Sequence, residues 1–293
     1  MDTEPAGWGF LEGESITPKL TAVKRLGGGA AYEAYLAFDD LTWGPVVVKV
    51  LRPDQVGDRS SLRGLRREVT ALQEVNHPVV VRQLRHQDDG DTPHIVLEAV
   101  DGPRLSSLVR RFGPLQPAQY LPLAIDLASA LQYFAHLGYV HLDIKPSNVI
   151  MGAPARLIDL SVARPAAQAA ALDHPIGTDF YMAPEQCDPP RSGTPGPGSD
   201  VFGLCATLFE AVAGYRPFDD GDPEANDPAE RWPQLARAPH ALPPSVPAPV
   251  VKAIMAGLAA DPADRPGPIE VAETIEPVYA ALPRGRLAGF KTR

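Results

Sequence analysis

Apolar positions along this chain recur with two different periods, and the change between them falls near residue 100. Before that point the apolar runs are short and β-branched: residues 46–50 (VVVKV) and 94–98 (HIVLE) read as strands. Between them, residues 60–75 carry Leu65, Leu72 and Val75 at helical spacing, so one helix interrupts the strands. Glu68 falls on the same stripe, which turns a carboxylate inward and demands a partner for it. After Asp101-Gly102-Pro103 the pattern is mainly helical. Residues 117–137 form a helix stopping at Gly138, with Pro122 expected to kink it or delay its start, and residues 200–213 form an apolar helix ending at Gly214. Further helices are predicted over 249–259 and 268–281, separated by Pro-rich surface loops at 188–198 and 238–249. There are no internal repeats. The order predicts an α+β chain: a loosely ordered lead-in at 1–20, a strand-rich N-terminal lobe at 21–98, a hinge at 99–102, a larger helical lobe at 103–281 and a tail at 282–293.

Composition narrows the function classes. The 293 residues, 44% hydrophobic and 22% charged, suit a globular chain with a substantial core. A net charge of −9, from 27 basic and 36 acidic residues, argues against a surface built for nucleic acid or anionic lipid. Cys187 and Cys205 lack any metal-ligand spacing and read as reduced, partly buried thiols. No apolar run approaches the length of a membrane span, since the longest, 201–214, contains Glu210, and the N-terminus carries Asp2 and Glu4 instead of an apolar leader. A cytoplasmic protein is expected.

Chemistry concentrates in residues 140–149 (VHLDIKPSNV), which place Asp143, Lys145 and Asn148 at intervals of two and three. Phosphoryl transfer needs a carboxylate to orient the acceptor, a cation for the moving phosphate and an amide oxygen for a metal ion. The spacing resembles the protein-kinase catalytic loop H-R-D-x-x-x-x-N, with Leu142 in place of Arg. Other segments resembling that family follow its order. Residues 26–35 (LGGGAAYEAY) are similar to the glycine-rich loop, with Tyr32 at the third glycine and Ala34 at the valine; residues 46–49 (VVVK) are similar to V-A-I-K, with Val47 at the small residue. Glu68 follows Lys49 by nineteen residues, as the family's helix-C glutamate would; residues 159–161 (DLS) stand for D-F-G; and 177–185 (GTDFYMAPE) match the end of an activation segment. The chain is therefore identified as a member of the eukaryotic-like (bacterial-type) Ser/Thr protein kinases, in a variant with HLD and DLS motifs, over nearly all of residues 26–281.

The resemblance implies a bilobal kinase fold with an antiparallel N-terminal sheet, and transfer of the ATP γ-phosphate to protein Ser or Thr hydroxyls. It makes Asp143, Lys145 and Asn148 catalytic, and Asn148 and Asp159 ligands of Mg²⁺, with Mn²⁺ as the alternative. It puts Leu26, Gly27, Gly29, Ala34, Val47, Lys49, Glu68, Glu98, Val100, Ile150 and Asp159 around the nucleotide. Ala34 and Val47 would exchange volumes across the adenine slot. His141 would be structural, Glu185 would pair with Arg265 in a buried ion pair, and Asp200 would anchor the catalytic loop. Residues 162–176 contain no Ser, Thr or Tyr, and the Arg that would hold a phosphate there is Leu142, so activity independent of activation-loop phosphorylation is expected. Two other readings stay open: a pseudokinase acting as a nucleotide-binding scaffold and, disfavoured by residues 177–185, a small-molecule phosphotransferase. The implied partner is a protein substrate of unknown identity; a homodimer is left open.

Overall fold

The computed structural model describes residues 7–189 and 191–283. Six strands, β1 (Ser15–Thr17), β2 (Leu20–Gly28), β3 (Tyr32–Asp39), β4 (Gly44–Leu51), β5 (Gln83–Gln87) and β6 (His94–Glu98), form an antiparallel sheet in the order β1-β2-β3-β4-β6-β5. The period-two alternation of β4 decides what each face carries. Val46, Val48 and Val50 join Tyr35, Ala37 and Val96 in one apolar cluster. Val47 and Leu51 pack with the larger cluster on the other side, which includes Leu65 and Leu72 of α1 (Arg59–Glu74). Lys49 shares their parity and is turned the same way.

Helix α1 starts where Asp58 accepts the Ser61 backbone N–H at 2.7 Å, a side-chain cap that satisfies one of the helix's first N–H groups. Its buried stripe includes Leu65, Glu68, Val69 and Leu72, each aliphatic side chain contributing roughly 1.5–3 kcal/mol by burial.

The loosely ordered lead-in expected at 1–20 is corrected over residues 8–20. Trp8 stacks on Phe10 with ring centres 5.5 Å apart, both pack against the first cluster, and β1 adds an edge strand. Gly and acidic residues recur through this stretch without periodicity, but the two aromatics decide its fate because each buries a large apolar area. Residues 1–6 of the lead-in and 284–293 of the expected tail lie outside the described residues.

The second lobe holds α2 (Leu105–Phe112), α3 (Pro117–His136), α4 (Ala166–Ala170), α5 (Pro184–Cys187), α6 (Pro197–Ala213), α7 (Pro228–Arg231), α8 (Ala248–Gly257) and α9 (Pro268–Ala280). Two short strand pairs accompany them: β7 (Tyr139–Val140) with β10 (Arg164–Pro165), and β8 (Val149–Ile150) with β9 (Arg156–Leu157). Helices α3 and α6 supply its centre, with Leu121, Leu127, Phe134, Phe202 and Phe209 fully buried. Helix α3 begins at Pro117, so Pro122 does not delay it; from the second turn it deprives only the Ala118 carbonyl of an N–H. Helix α6 begins three residues before the sequence pattern does. Pro197 at its first position lacks only an N–H that would be orphaned anyway, and Ser199 Oγ accepts the Gly196 N–H at 3.0 Å. It ends at Gly214, whose φ of 81° permits an N–H bond back to Glu210.

Both cysteines are buried free thiols. Among the described residues, no helix is long and apolar enough to cross a membrane.

Candidate active site

Lys49, pointed off β4 towards α1, meets both oxygens of Glu68 at 2.8 and 2.7 Å and Asp159 Oδ1 at 2.8 Å. Glu68 is 1% exposed, so the partner that its helical register demanded is Lys49. Burial works against the Lys49 charge, but the two carboxylates outweigh it and hold the ammonium above the usual lysine range. Burial likewise pushes Asp159 up, and the adjoining ammonium overrides it, keeping the carboxyl well below its ordinary value. Asp159 adopts φ 68°, a left-handed conformation that costs a non-glycine residue on the order of 1–3 kcal/mol. Its side chain is held from both sides, by Lys49 and by the Ser161 N–H at 3.3 Å.

Residues 140–149 are fixed from below by Asp200, in the first turn of α6. Its carboxylate accepts the backbone N–H groups of His141 and Leu142, each at 2.7 Å, while burial pushes its pKa up to about 7. Leu142 is also left-handed, at φ 64°, and its carbonyl accepts from Gln186 Nε2 at 2.8 Å. Gly177 passes close to it: a Cβ there would lie 2.8 Å from the Leu142 carbonyl, and φ is 123°, so only glycine fits without strain. His141 is fully buried and accepts the Asp143 N–H on Nδ1 at 3.2 Å; burial pushes it down to about 4, so the ring is neutral.

Above this base the polar groups converge. Asp143 Oδ1 accepts from the Thr178 hydroxyl at 2.7 Å, and Oδ2 lies 2.7 Å from Lys145 Nζ. Lys145 also donates to Thr178 Oγ1 at 2.6 Å, and Asn148 Nδ2 donates to the Asp143 carbonyl and carboxylate at 3.0 and 3.1 Å.

Between the two groups runs a cleft of about 590 Å³, within the rough range of 300–1,000 Å³ typical of small-molecule sites. Leu26, Ala34, Val47, Val100 and Ile150 give it apolar walls, so the two exchanged positions, 34 and 47, share one space. Lys49, Glu68, Lys145, Asn148 and Asp159 make its polar end, and Gly29 its turn. Glu98 lines it as well, with its carboxylate taken by Arg82, at 3.0 Å from the N–H and 3.2 Å from the guanidinium. Gly27, expected at the nucleotide, stands off the wall: it pairs with Ala34 in the β2–β3 ladder, and the border is made by Gly28, which ends β2, and by Gly29 to Ala31 beyond it. Asp143, expected at the acceptor and not at the nucleotide, is also off the wall and faces Thr178.

Sequence reasoning missed Tyr32, Val81, Leu97 and Ile158, which also line the cleft. Leu97 was within reach, because it pairs with Val47 across β4 and β6. Tyr32 was noted only as a missing glycine; its ring lies under the Lys49 ammonium, 4.7 Å from Nζ, and its hydroxyl is 3.5 Å from the Ser61 carbonyl of α1. A separate hollow of about 70 Å³ beside Phe180 and Phe218 is too small for a nucleotide.

Leu142 does not point to solvent. It is buried with Val140 and Ala169, and Val162, Ala166, Leu172 and Ile176 pack around them. Downstream, Glu185 and Arg265 form a two-pronged pair at 2.6 and 2.9 Å with both side chains wholly buried.

The donor set suits a hard divalent cation. Asn148 Nδ2 is turned to Asp143, which leaves the amide oxygen for a metal, and Asp159 supplies carboxylate oxygen on the same cleft wall. Among the described residues no three His, Cys, Asp or Glu side chains form a metal cluster, so a closed protein cage does not fit. Two oxygen donors do fit a cation that keeps its waters and shares phosphate oxygens.

Residues 20–275 match the family described as Protein kinase domain. The chain is 30% identical over 281 residues to the serine/threonine-protein kinase PrkC of Bacillus subtilis, covering 91% of this chain and 41% of that one. It is 33% identical to PknB of Mycobacterium leprae and 34% identical to PknB of Mycobacterium tuberculosis, covering in each case 68% of this chain and 33% of the relative. The chain thus spans well under half the length of the curated relatives it matches.

Proposed function

Since the chain belongs to the protein kinase domain family, we propose that it transfers the γ-phosphate of ATP to serine or threonine hydroxyls of a protein, with Mg²⁺, or Mn²⁺ in its place, as the divalent ion. The observation that carries this reading is the two charge groups across one cleft: Glu68–Lys49–Asp159 on one side and Lys145–Asp143–Asn148 on the other. Lys49, braced by Glu68, contacts the α- and β-phosphates. Asn148 and Asp159 would hold the metal, which would supply positive charge to offset that of the phosphates. Asp143 orients the acceptor hydroxyl and takes its proton, and Lys145 faces the moving phosphate. The hydroxyl of Thr178, seated between Asp143 and Lys145, supports a site made for an aliphatic hydroxyl. Leu26, Ala34, Val47, Val100 and Ile150 enclose the base, and residues 99–102 act as the hinge between lobes at 21–98 and 103–281.

Activity does not require phosphorylation between residues 162 and 176. The segment has no hydroxyl to modify, and the burial of Leu142 among Ala169, Leu172 and Ile176 supplies by packing what a phosphate–Arg pair would otherwise supply.

Asp143→Asn tests the assignment. It keeps the fold and the affinity for a fluorescent ATP analogue, and lowers phosphate transfer to a protein substrate by about 10²–10⁴, the usual worth of a positioned proton acceptor. Undiminished transfer would remove Asp143 from the chemistry. Wild-type protein that binds ATP and transfers nothing, with either metal, would establish the scaffold reading instead.

A further inference from the structure

Residues 7–11 cross the face of the sheet that α1 leaves free, and they are held there by polar contacts as well as by packing. The Trp8 backbone N–H donates to Glu33 Oε2 at 2.7 Å, and its indole Nε1–H donates to the Leu51 carbonyl at 2.7 Å. The Trp8 ring stacks on Phe10, which meets Tyr35 edge-on at 5.6 Å.

Glu33 is 1% exposed and serves more than the strap. It also accepts from the Tyr35 hydroxyl at 3.2 Å, and it lies 3.2 Å from Arg25 and 3.8 Å from Arg52. Arg52 in turn grips the glycine-rich turn twice: Nε donates to the Gly29 carbonyl at 2.8 Å, and its own backbone N–H to the Ala31 carbonyl at 2.9 Å. Gly29 and Ala31 both border the nucleotide cleft. Trp8 therefore reaches Arg52 by two routes, through the shared carboxylate of Glu33 and through the carbonyl of Leu51, the residue before it.

The geometry points to Arg52 as a positioning residue for the phosphate-facing turn, held in register by Glu33 and by the docked strap 7–11, so that affinity for the phosphates of ATP depends on the strap. This rests on the nucleotide-site reading above. A turn that grasps phosphates with its backbone N–H groups works only if those groups are aimed beforehand, and fixing their carbonyl neighbours does that. The adenine walls, Val47, Val100 and Ile150, have no part in this chain of contacts. Loosening the strap should therefore weaken ATP and spare adenosine.

The test measures dissociation constants of the full chain for a fluorescent ATP analogue and, by competition, for adenosine, in wild type, Trp8→Ala, Arg52→Lys and the double variant. The contacts at stake amount to about one or two net hydrogen bonds, so the ATP analogue should bind about three- to tenfold more weakly to each single variant, with adenosine affinity unchanged. The double variant should be no weaker than Arg52→Lys, because both changes break one chain of contacts. In transfer assays KM for ATP should rise while kcat moves little. Equal weakening of ATP and adenosine would show a merely structural strap, and unchanged ATP affinity in a folded Trp8→Ala protein would overturn the proposal outright. Should Trp8→Ala fail to fold, Trp8→Phe keeps a stacking ring, loses only the indole donor and is held to the same contrast. Binding is read independently of transfer, so a protein that binds ATP without transferring phosphate would defeat the kinase reading and leave this one standing.

Discussion

Arg265→Ala should be among the most damaging single substitutions in the helical lobe. All five guanidinium N–H groups of Arg265 are used: two meet Glu185 at 2.6 and 2.9 Å, and three meet the carbonyls of Ala259, Gly198 and Ala260 at 2.8, 2.9 and 3.0 Å. Among the described residues, removing the side chain leaves Glu185, with no exposure of its own, a single side-chain donor, the Ser199 hydroxyl at 2.7 Å. Stranding one member of a buried pair costs about 3–5 kcal/mol, most of it the desolvation of the charge left behind. At roughly 2–4 °C per kcal/mol for chains somewhat smaller than this one, the melting temperature should fall by about 6–20 °C. Thermal unfolding followed by circular dichroism measures this. Arg265→Lys should recover only part of the loss, because an ammonium has three donors and no planar fork. Glu185→Gln combined with Arg265→Met should be less damaging than Arg265→Ala alone, since it leaves no uncompensated charge. A melting temperature for Arg265→Ala within a degree or so of wild type would refute the reasoning, as would a double variant worse than the single one.

Leu142→Ala, which removes most of a buried side chain from the cluster with Val140 and Ala169, should cost about 2–5 kcal/mol and speed amide exchange over residues 166–172; exchange at the wild-type rate would mean that the segment is held by something else. Asp39 is buried against Arg85 at 2.6 and 2.8 Å, and this hydrogen-bonded pair holds its carboxyl well below the ordinary value of 3.8 despite the opposing effect of burial. A depressed folded-state pKa gives stability that is complete above the unfolded value and is lost as pH falls from there towards the folded one, so wild type should weaken steeply below about pH 4. Asp39→Asn should be less stable at neutral pH with a shallower acid limb, and parallel urea-denaturation curves for the two proteins at pH 7 and pH 3 would contradict this.

The inward turn of Glu68 was legible in the sequence, because a period of 3.6 on α1 puts it on the apolar stripe, and the family's nineteen-residue spacing named Lys49 as its partner; which way Lys49 faces was not, since valines stand on both faces of β4. The cluster of Asp143, Lys145 and Asn148 was legible for a different reason: its groups lie within six residues, so local spacing carries most of their geometry. The packed strap was not, since Trp8 and Phe10 have no periodic neighbours and their partners Glu33, Leu51 and Tyr35 are contributed by strands 25 or more residues away. The same holds for Tyr32, where the sequence showed only that a glycine was lacking; that the ring would lie under an ammonium depends on how β3, β4 and α1 come together. Element type, register and the inventory of charges follow from short-range periodicity and covalent spacing, whereas which distant side chains share a carboxylate, a cleft wall or a buried pocket follows from the packing of elements, which no local pattern encodes.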